Sequence, residues 1–512
     1  MSAINAILIL GFVLLGCQKK MNSKELIINK SLNAPLHNAV NLKKLDSKRI
    51  VTTIQYQLLI NLNLTLLEYD KNANLNTLLA EDYDIVGNTI VFQIKKAVKT
   101  ISGHEIKAID AELSLKRLIK SKDGSHSNLA DLLCSEVNVN DGFECPGISS
   151  NNYELKINAR KKSYIPFILS LLTNADNVII PLTALDNAKT ESQIVNFRET
   201  SGPYYIDLEA LEDRDIEHIK LVPNKKHFLY SDELPQEINY TKTDFNTLVL
   251  DNKKLKKDFN YIHNISGLKL SQVSELQKND PTVQIYPTLL LKNTIILSTA
   301  KGRKDFTKNE LMFYELRVKD FLLNSKNNYP NILEQQIGYF PLESEGNLTS
   351  DQYSKVLEKY SLVSKMNIKT IKKIRLGLYK ILYERYKKEF ESLEGISLKL
   401  LKSSPLESNT DEVDIFIDTI DSSFTESLDL LQYNKTFGIF DVTDDDMKNY
   451  IETETKEGRI KQLQNIHFKS IMNAYFVNVG VAPYYTILSE EWSAEPSKFF
   501  VGFPVWKIKR KI

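Results

Sequence analysis

Between Tyr83 and Ile119 the hydrophobic period of the sequence changes from two to nearly four, and that switch constrains the fold more than any other feature. Tyr83 to Val86, a Gly87-Asn88 pair and Thr89 to Ile94 (TIVFQI) predict a β-hairpin, because Gly-Asn suits a two-residue reversing turn between β-rich runs. Asp110 to Ile119 (DAELSLKRLI) then carries apolar residues at helical spacing behind a capping Asp. Strand alternation returns at Tyr153 to Ile157 and at His218 to Val222. Thr307-Lys308-Asn309-Glu310 is a capping-box pattern opening a helix to about Leu323. Further helices are predicted at Asp351 to Val363, Leu382 to Leu393, Thr443 to Glu454 and Arg459 to Phe476. Interleaved strands and helices of this kind predict an α/β or α+β chain in several lobes.

A length of 512 residues leaves room for two or three domains and excludes a peptide hormone, a toxin scaffold or a single small module. The 66 basic and 65 acidic residues leave a net charge of only +1, so nothing marks a nucleic-acid binder or a charged tail. Three cysteines are too few for a disulfide scaffold. No apolar run reaches the roughly 18 residues of a spanning helix, so the mature chain is expected to be water-soluble.

The longest uncharged stretch, Ala3 to Gly16 (AINAILILGFVLLG), ends at Cys17 and is followed by Gln18, Lys19 and Lys20. Its length is that of a signal-peptide apolar region. Leu14-Leu15-Gly16-Cys17 resembles the bacterial lipobox, which implies that residues 1–17 form a lipoprotein signal and that Cys17 becomes the acylated first residue of the mature chain. Each buried acyl methylene contributes about 0.8 kcal/mol, enough to hold a soluble domain beside a membrane. No Lys or Arg precedes the apolar stretch, which departs from an ordinary signal. The alternative is a buried N-terminal helix or strand with an incidental Cys. Residues 18–29 read as a polar tether. In an oxidising compartment Cys134 and Cys145 could pair across a short polar loop, worth about 3 kcal/mol, or stay as free thiols.

The usual catalytic signatures are missing. Seven histidines show no HExxH and no paired spacing, Thr299 to Lys304 lacks the spaced glycines of a P-loop, and no GxSxG occurs. Asp444-Asp445-Asp446 fits a charged helix N-terminus better than a calcium loop. An enzyme, a metal site and a cofactor are therefore not expected.

Several segments in fixed order resemble the extracellular solute-binding proteins of family 5, the binding components of oligopeptide, dipeptide and nickel ABC importers. They are Leu66 to Asp70, Leu75 to Tyr83, Ile90 to Lys99, Ser102 to Ala111, Ser114 to Leu118, Ile179-Ile180-Pro181, Ser201-Gly202-Pro203-Tyr204, Leu221 to Phe228 and the stretch from Arg459 to Tyr485. The likeness spans roughly residues 30 to 500. It implies an α/β, two-lobed periplasmic-binding-protein-like fold of the type II, cluster C kind, with a discontinuous first lobe, an inserted subdomain and a hinge. The boundaries it implies are 30–295 for lobe I with the subdomain at 58–181, 296–473 for lobe II, and 474–512 for a C-terminal segment returning to lobe I.

The resemblance also implies where ligand contacts fall, and here the sequence departs from the pattern. Val413 to Ser423 resembles a motif whose final Asp pairs with the α-amino group of a bound peptide, but that position is Ser423, and the motif's Trp is Ile420. Either Asp421 or Asp418 takes over after a register shift, or the ligand is not an ordinary free-amino peptide. A buried ammonium without a carboxylate would be costly. Leu64 replaces an acidic residue beside the hinge, and Asn293 to Ser298 replaces an aromatic-rich entry into the second lobe. Asn63, Thr65, Asn293 and Ser298 join Asp418, Asp421 and Ser423 as candidate ligand contacts. The expected function is a monomeric, lipid-anchored binding protein of the cell envelope that delivers peptides or a related small polar solute to an ABC permease and its ATPase. The alternative is a non-transport envelope lipoprotein of the same fold that senses a ligand or binds a partner.

Overall fold

A computed structural model of the chain describes residues 30–36, 39–50, 53–70, 74–121, 127–133, 147–208, 213–243, 259–262, 270–299, 305–324, 336–340, 345–367, 373–379, 383, 387–401, 413–421, 427–436, 438–495 and 504–511. Cys17, Cys134, Cys145 and Ser423 lie outside the described residues, as does the whole apolar N-terminal stretch. Among the described residues no helix is long and apolar enough to cross a membrane.

The hairpin forms as its alternation requires. Strand Ala80–Val86 pairs antiparallel with Thr89–Ile94, and Gly87 turns the chain at φ +67°, a value that favours glycine. Ile90, Phe92 and Ile94 are buried while Gln93 is exposed. Phe92 and Ile90 face Leu155 and Ile157 of strand Glu154–Asn158, which closes a four-stranded sheet with Ile148–Asn151. Helix Ala108–Lys120 packs Ala111, Leu115 and Leu118 inward. Asp110 is not its cap: it sits one turn in, where its carboxylate accepts from the Lys107 amide at 2.8 Å.

A second four-stranded sheet joins Ser31–Leu36, Glu237–Lys242, His218–Pro223 and Tyr204–Ile206, with its first pair parallel and the rest antiparallel. The largest sheet has six strands in the spatial order Tyr261–Ile262, Phe476–Leu488, Gln284–Thr299, Ile415–Asp421, Ile374–Tyr379 and Ile396–Leu401. Helices Lys308–Asn324, Ser350–Ser364, Ser427–Thr436, Asp444–Glu452 and Lys456–Met472 accompany it. Thr307 and Glu310 form the expected capping box, with 2.7 and 3.2 Å bonds. Thr443 caps the Asp444–Glu452 helix, whose first turn holds all three acids. The helix predicted to run to Leu393 stops at Phe390, after which residues 391–395 turn.

Two cores result. One joins Leu32, Leu58, Tyr204, Ile238 and Tyr261 to Trp492, Val505 and Ile508 near the C-terminus. The other runs from the 64–179 region (Phe92, Leu115, Phe167) without interruption into the six-stranded sheet and its helices (Tyr314, Phe440, Tyr450, Phe476).

Candidate functional site

Strand Phe476–Leu488 runs from one core to the other, with Phe476, Val477 and Val479 in the second and Leu488 in the first, and strand Gln284–Thr299 pairs along it. Their register runs from Gln284↔Leu488 to Thr288↔Tyr484, breaks, and resumes at Asn293↔Ala482 through Ser298↔Phe476, with a smaller shift past Val479 between Ile295 and Ile296. In the first stretch the neighbour is Tyr261–Ile262, and Tyr261 and Leu488 belong to the first core. In the second stretch the neighbour is Ile415–Asp421, and Ile415, Ile417 and Phe476 belong to the other core. The pair is therefore a two-strand bridge with an irregularity at its middle, where residues 289–292 face Pro483 alone.

That register sorts the predicted contacts. Asn293 pairs with Asp421 directly at the break, and directly opposed residues in an antiparallel pair share a face. Asp418 pairs with Ile296 and Ser298 with Phe416, two positions apart on the opposite parity, so those two residues fall on the other face. Ser298 is also about 17 Å along the strand from Asn293, at about 3.4 Å per residue. The structure brings Asn293 and Asp421 together at the bridge and sets Ser298 and Asp418 apart from them.

Where the cores meet, Asn63 follows helix Thr53–Leu62, whose Leu62 lies in the first core, and Thr65 stands between Leu64 and Leu66 of the second. Asn63 and Thr65 are nearly buried, at 4% and 6% exposure. Asn63 Oδ1 accepts from the Ser201 amide at 3.1 Å, Ser201 Oγ accepts from the Leu64 amide at 3.0 Å, and Gly202 N donates to Leu62 O at 2.9 Å. A Cβ on Gly202 would stand 2.7 Å from Leu62 O, so only glycine lets the turn approach the helix end this closely. Thr65 spends its proton on Leu67 O at 2.6 Å. The Asn63 amide nitrogen has no hydrogen-bond partner among the described residues.

The Ser201-Gly202-Pro203-Tyr204 turn is a hub that its sequence resemblance did not explain. His227 Nε2 donates to Ser201 O at 3.0 Å while Nδ1 accepts from the Leu229 amide at 3.2 Å, so the ring is neutral, and burial pushes its pKa down to about 4. Asn224 N donates to Pro203 O, and Asn224 Nδ2 to Lys99 O, both at 2.8 Å. Glu199 Oε2 accepts from Thr100, Ser102 and Thr183 at 2.6, 2.7 and 2.9 Å. Burial raises the Glu199 pKa, but those hydroxyl donors outweigh it and hold the carboxyl below its ordinary range.

Sequence reasoning also missed Arg375, which holds Asp414 through its amide at 2.8 Å, Nε at 3.1 Å and Nη2 at 2.9 Å. The Asp that opens the Val413 to Ser423 motif is thus a buried anchor for the strand that carries Asp418 and Asp421. No local signal marks it, because the two residues are 39 positions apart. Among the described residues no group of His, Cys, Asp and Glu could hold a metal ion.

This architecture recurs in solved structures. The chain superposes on OppA from Haemophilus influenzae, solved with the peptide RPPGFSPFR, at a TM-score of 0.70 and 13% identity, covering 94% of this chain and 99% of that one. The dipeptide binding protein from Pseudoalteromonas sp. SM9913, solved with Met-Leu, gives 0.71 and 12% over 94% and 100%. NikA from Staphylococcus aureus, solved with Ni(L-His)2, gives 0.68 and 14% over 94% and 100%. The chain has the two-lobed fold of the family 5 solute-binding proteins. The four-stranded sheet of residues 31–242 packs in the first core and strands Ile374–Tyr379 and Ile415–Asp421 in the second, with the long strand Phe476–Leu488 reaching both. No protein-family model matches the sequence, and no curated protein matches it.

Proposed function

We propose that this chain is the solute-binding component of an ABC importer, one that captures peptides or a related small polar solute between its lobes and hands it to a permease powered by a separate ATPase. The observation that carries the reading is the bridge of two strands with its four-residue break at the middle, inside a fold matched over 94% of the chain by proteins solved with peptides or a nickel complex. Clefts between domains are where such ligands bind, and closure about a few residues is how they are enclosed. Residues 289–292 with Pro483 serve as the hinge. Asn293 and Asp421 line the second-lobe side, Asp421 receiving the ligand's ammonium in place of the acid that Ser423 lacks. Asn63, with Thr65 beside it, donates to a carbonyl or carboxylate from the first lobe. The subunit makes and breaks no bond. Export through residues 1–17 and acylation at Cys17 hold it at the membrane surface.

The test is thermal unfolding of the purified protein against short peptides, their N-acetylated forms, sugars and metal chelates. A ligand that binds only the folded state raises the midpoint by mass action. Free-amino peptides are expected to raise it, N-acetylated ones to raise it less, and Asp421→Asn to remove the difference. No shift with any class would overturn the transport reading in favour of a partner-binding lipoprotein.

A further inference from the structure

The bridge is not the only connection between the lobes. Phe167, from helix Ile165–Leu171, packs on Tyr450 of helix Asp444–Glu452 with ring centroids 5.7 Å apart, and both residues are 3% exposed. The Arg459 guanidinium lies 5.2 Å over the same Phe167 ring. It is fixed there by its own lobe, since Nη1 donates to Thr453 O at 2.9 Å and Glu454 O at 3.1 Å. At the rim of the contact Lys161 Nζ meets Glu452 Oε1 at 2.6 Å. The apolar residues of 64–179 and of the second lobe thereby form one cluster.

The 64–179 region is tied to the first lobe by bonds of a different kind. The buried Arg117 guanidinium donates to Asp46 Oδ2 at 2.8 Å and to Ser192 O at 2.9 Å. Ser114 bonds both the amide and the carbonyl of Ile180, and Glu199 takes the Thr100 and Ser102 hydroxyls. Breaking buried charged bonds leaves desolvated groups unpaired, a penalty that adds to any apolar exposure, whereas parting the contact at Phe167 exposes apolar surface and a solvated ion pair but strands no buried charge. When the lobes part, the surface that gives way is therefore the one at Phe167.

We infer that Phe167, Tyr450 and Arg459, with Lys161 and Glu452 at the rim, form a latch that is made in the closed state and broken in the open state. It rests on the reading of the chain as a hinged binding protein, and it stores part of the closing free energy away from the ligand. Each latch residue acts on the closed-to-open ratio and not on ligand contacts.

Spin labels on a genetically encoded keto residue at exposed positions 162 and 448 read the latch by pulsed electron resonance in the full chain. A second pair at 156 and 220 reads the tie between the subdomain and the first lobe. Phe167→Ala is expected to lower the closed-to-open ratio by about tenfold or more, seen as a longer 162–448 distance with an unchanged 156–220 distance. Glu452→Lys, an exposed change that leaves the core intact, is expected to lower it about two- to fivefold, and Lys161→Glu added to it to restore it. An unaltered 162–448 distance in both single variants, or a 156–220 distance that lengthens with it, would overturn the latch. These distances are measured without ligand, so a chain that binds no peptide can still show the latch, and a chain that binds one can still lack it.

Discussion

At the residue scale the histidines show what a sequence withholds. Seven scattered rings gave no motif, yet two of them are fixed by their neighbours on both nitrogens. His467 is fully buried, accepts from the Tyr339 amide through Nε2 at 2.8 Å and faces Gly346 O through Nδ1 at 3.0 Å. A carbonyl can only accept, so Nδ1 carries the proton and Nε2 has none. Protonation would set an N–H against the Tyr339 N–H, and burial pushes the His467 pKa down to about 4. The unfolded chain takes up that proton near pH 6.5, the folded chain only near pH 4. The unfolded state therefore binds more protons in that window, and stability that is complete above pH 6.5 is lost as the pH falls toward 4. Urea unfolding between pH 7 and pH 4 is expected to show His467→Gln losing less than the parent, by on the order of 3 kcal/mol. Equal losses would mean that the ring is charged in the folded protein.

Elements were legible wherever their signal was local. The Gly87-Asn88 hairpin, the Thr307 capping box and the acidic start of helix Asp444–Glu452 follow from residues within a few positions of one another, whereas the helix expected over Arg459–Phe476 spans Lys456–Met472, with Phe476 already in the following strand. Asp110 reads as a cap in the sequence because a carboxylate one turn into a helix can reach back to the cap amide and leave the same composition. Register was not legible: that Asn293 meets Asp421 while Ser298 meets Phe416 depends on pairing across more than a hundred residues. The same holds for the approach of the Ser201-Gly202 turn to the end of helix Thr53–Leu62. A Cβ at Gly202 would lie 2.7 Å from Leu62 O and 3.0 Å from Asn63 N, backbone atoms that no rotamer change can move. Gly202→Ala is expected to cost about 1 to 3 kcal/mol, measured as a lowered unfolding midpoint. At Gly87, by contrast, nothing stands within 4 Å, and only its positive φ resists substitution. A midpoint unchanged in Gly202→Ala would show that helix end and turn can separate freely, which would remove Asn63 from its fixed position.

At the scale of the whole molecule, the first core draws on both ends of the chain, since Leu32 and Leu36 pack in the same cluster as Trp492, Val505 and Ile508. The Val505 amide reaches back to Asn61 Oδ1 at 2.7 Å, across 444 positions. The second core is centred on rings from four separate segments: Tyr339, Phe440, His467 and Phe476, with Tyr339 and Phe440 centroids 5.0 Å apart. Besides the two strands, helix Ala108–Lys120 joins these cores, with Leu113 in the first and Leu115 in the second, as do the ties at Arg117, Ser114 and Glu199. Each core still packs mainly against its own residues, so truncation in one should cost the other less. Trp492 is fully buried and Phe440 2% exposed, and truncating either to Ala costs about 3 to 5 kcal/mol in the core that holds it. Scanning calorimetry is then expected to resolve two overlapping transitions, one lowered by Trp492→Ala and the other by Phe440→Ala. Were a single transition displaced equally by both variants, the two lobes would unfold as one unit. The bridge would then have to transmit packing as well as permit rotation, and a hinge that stiff could not open without ligand.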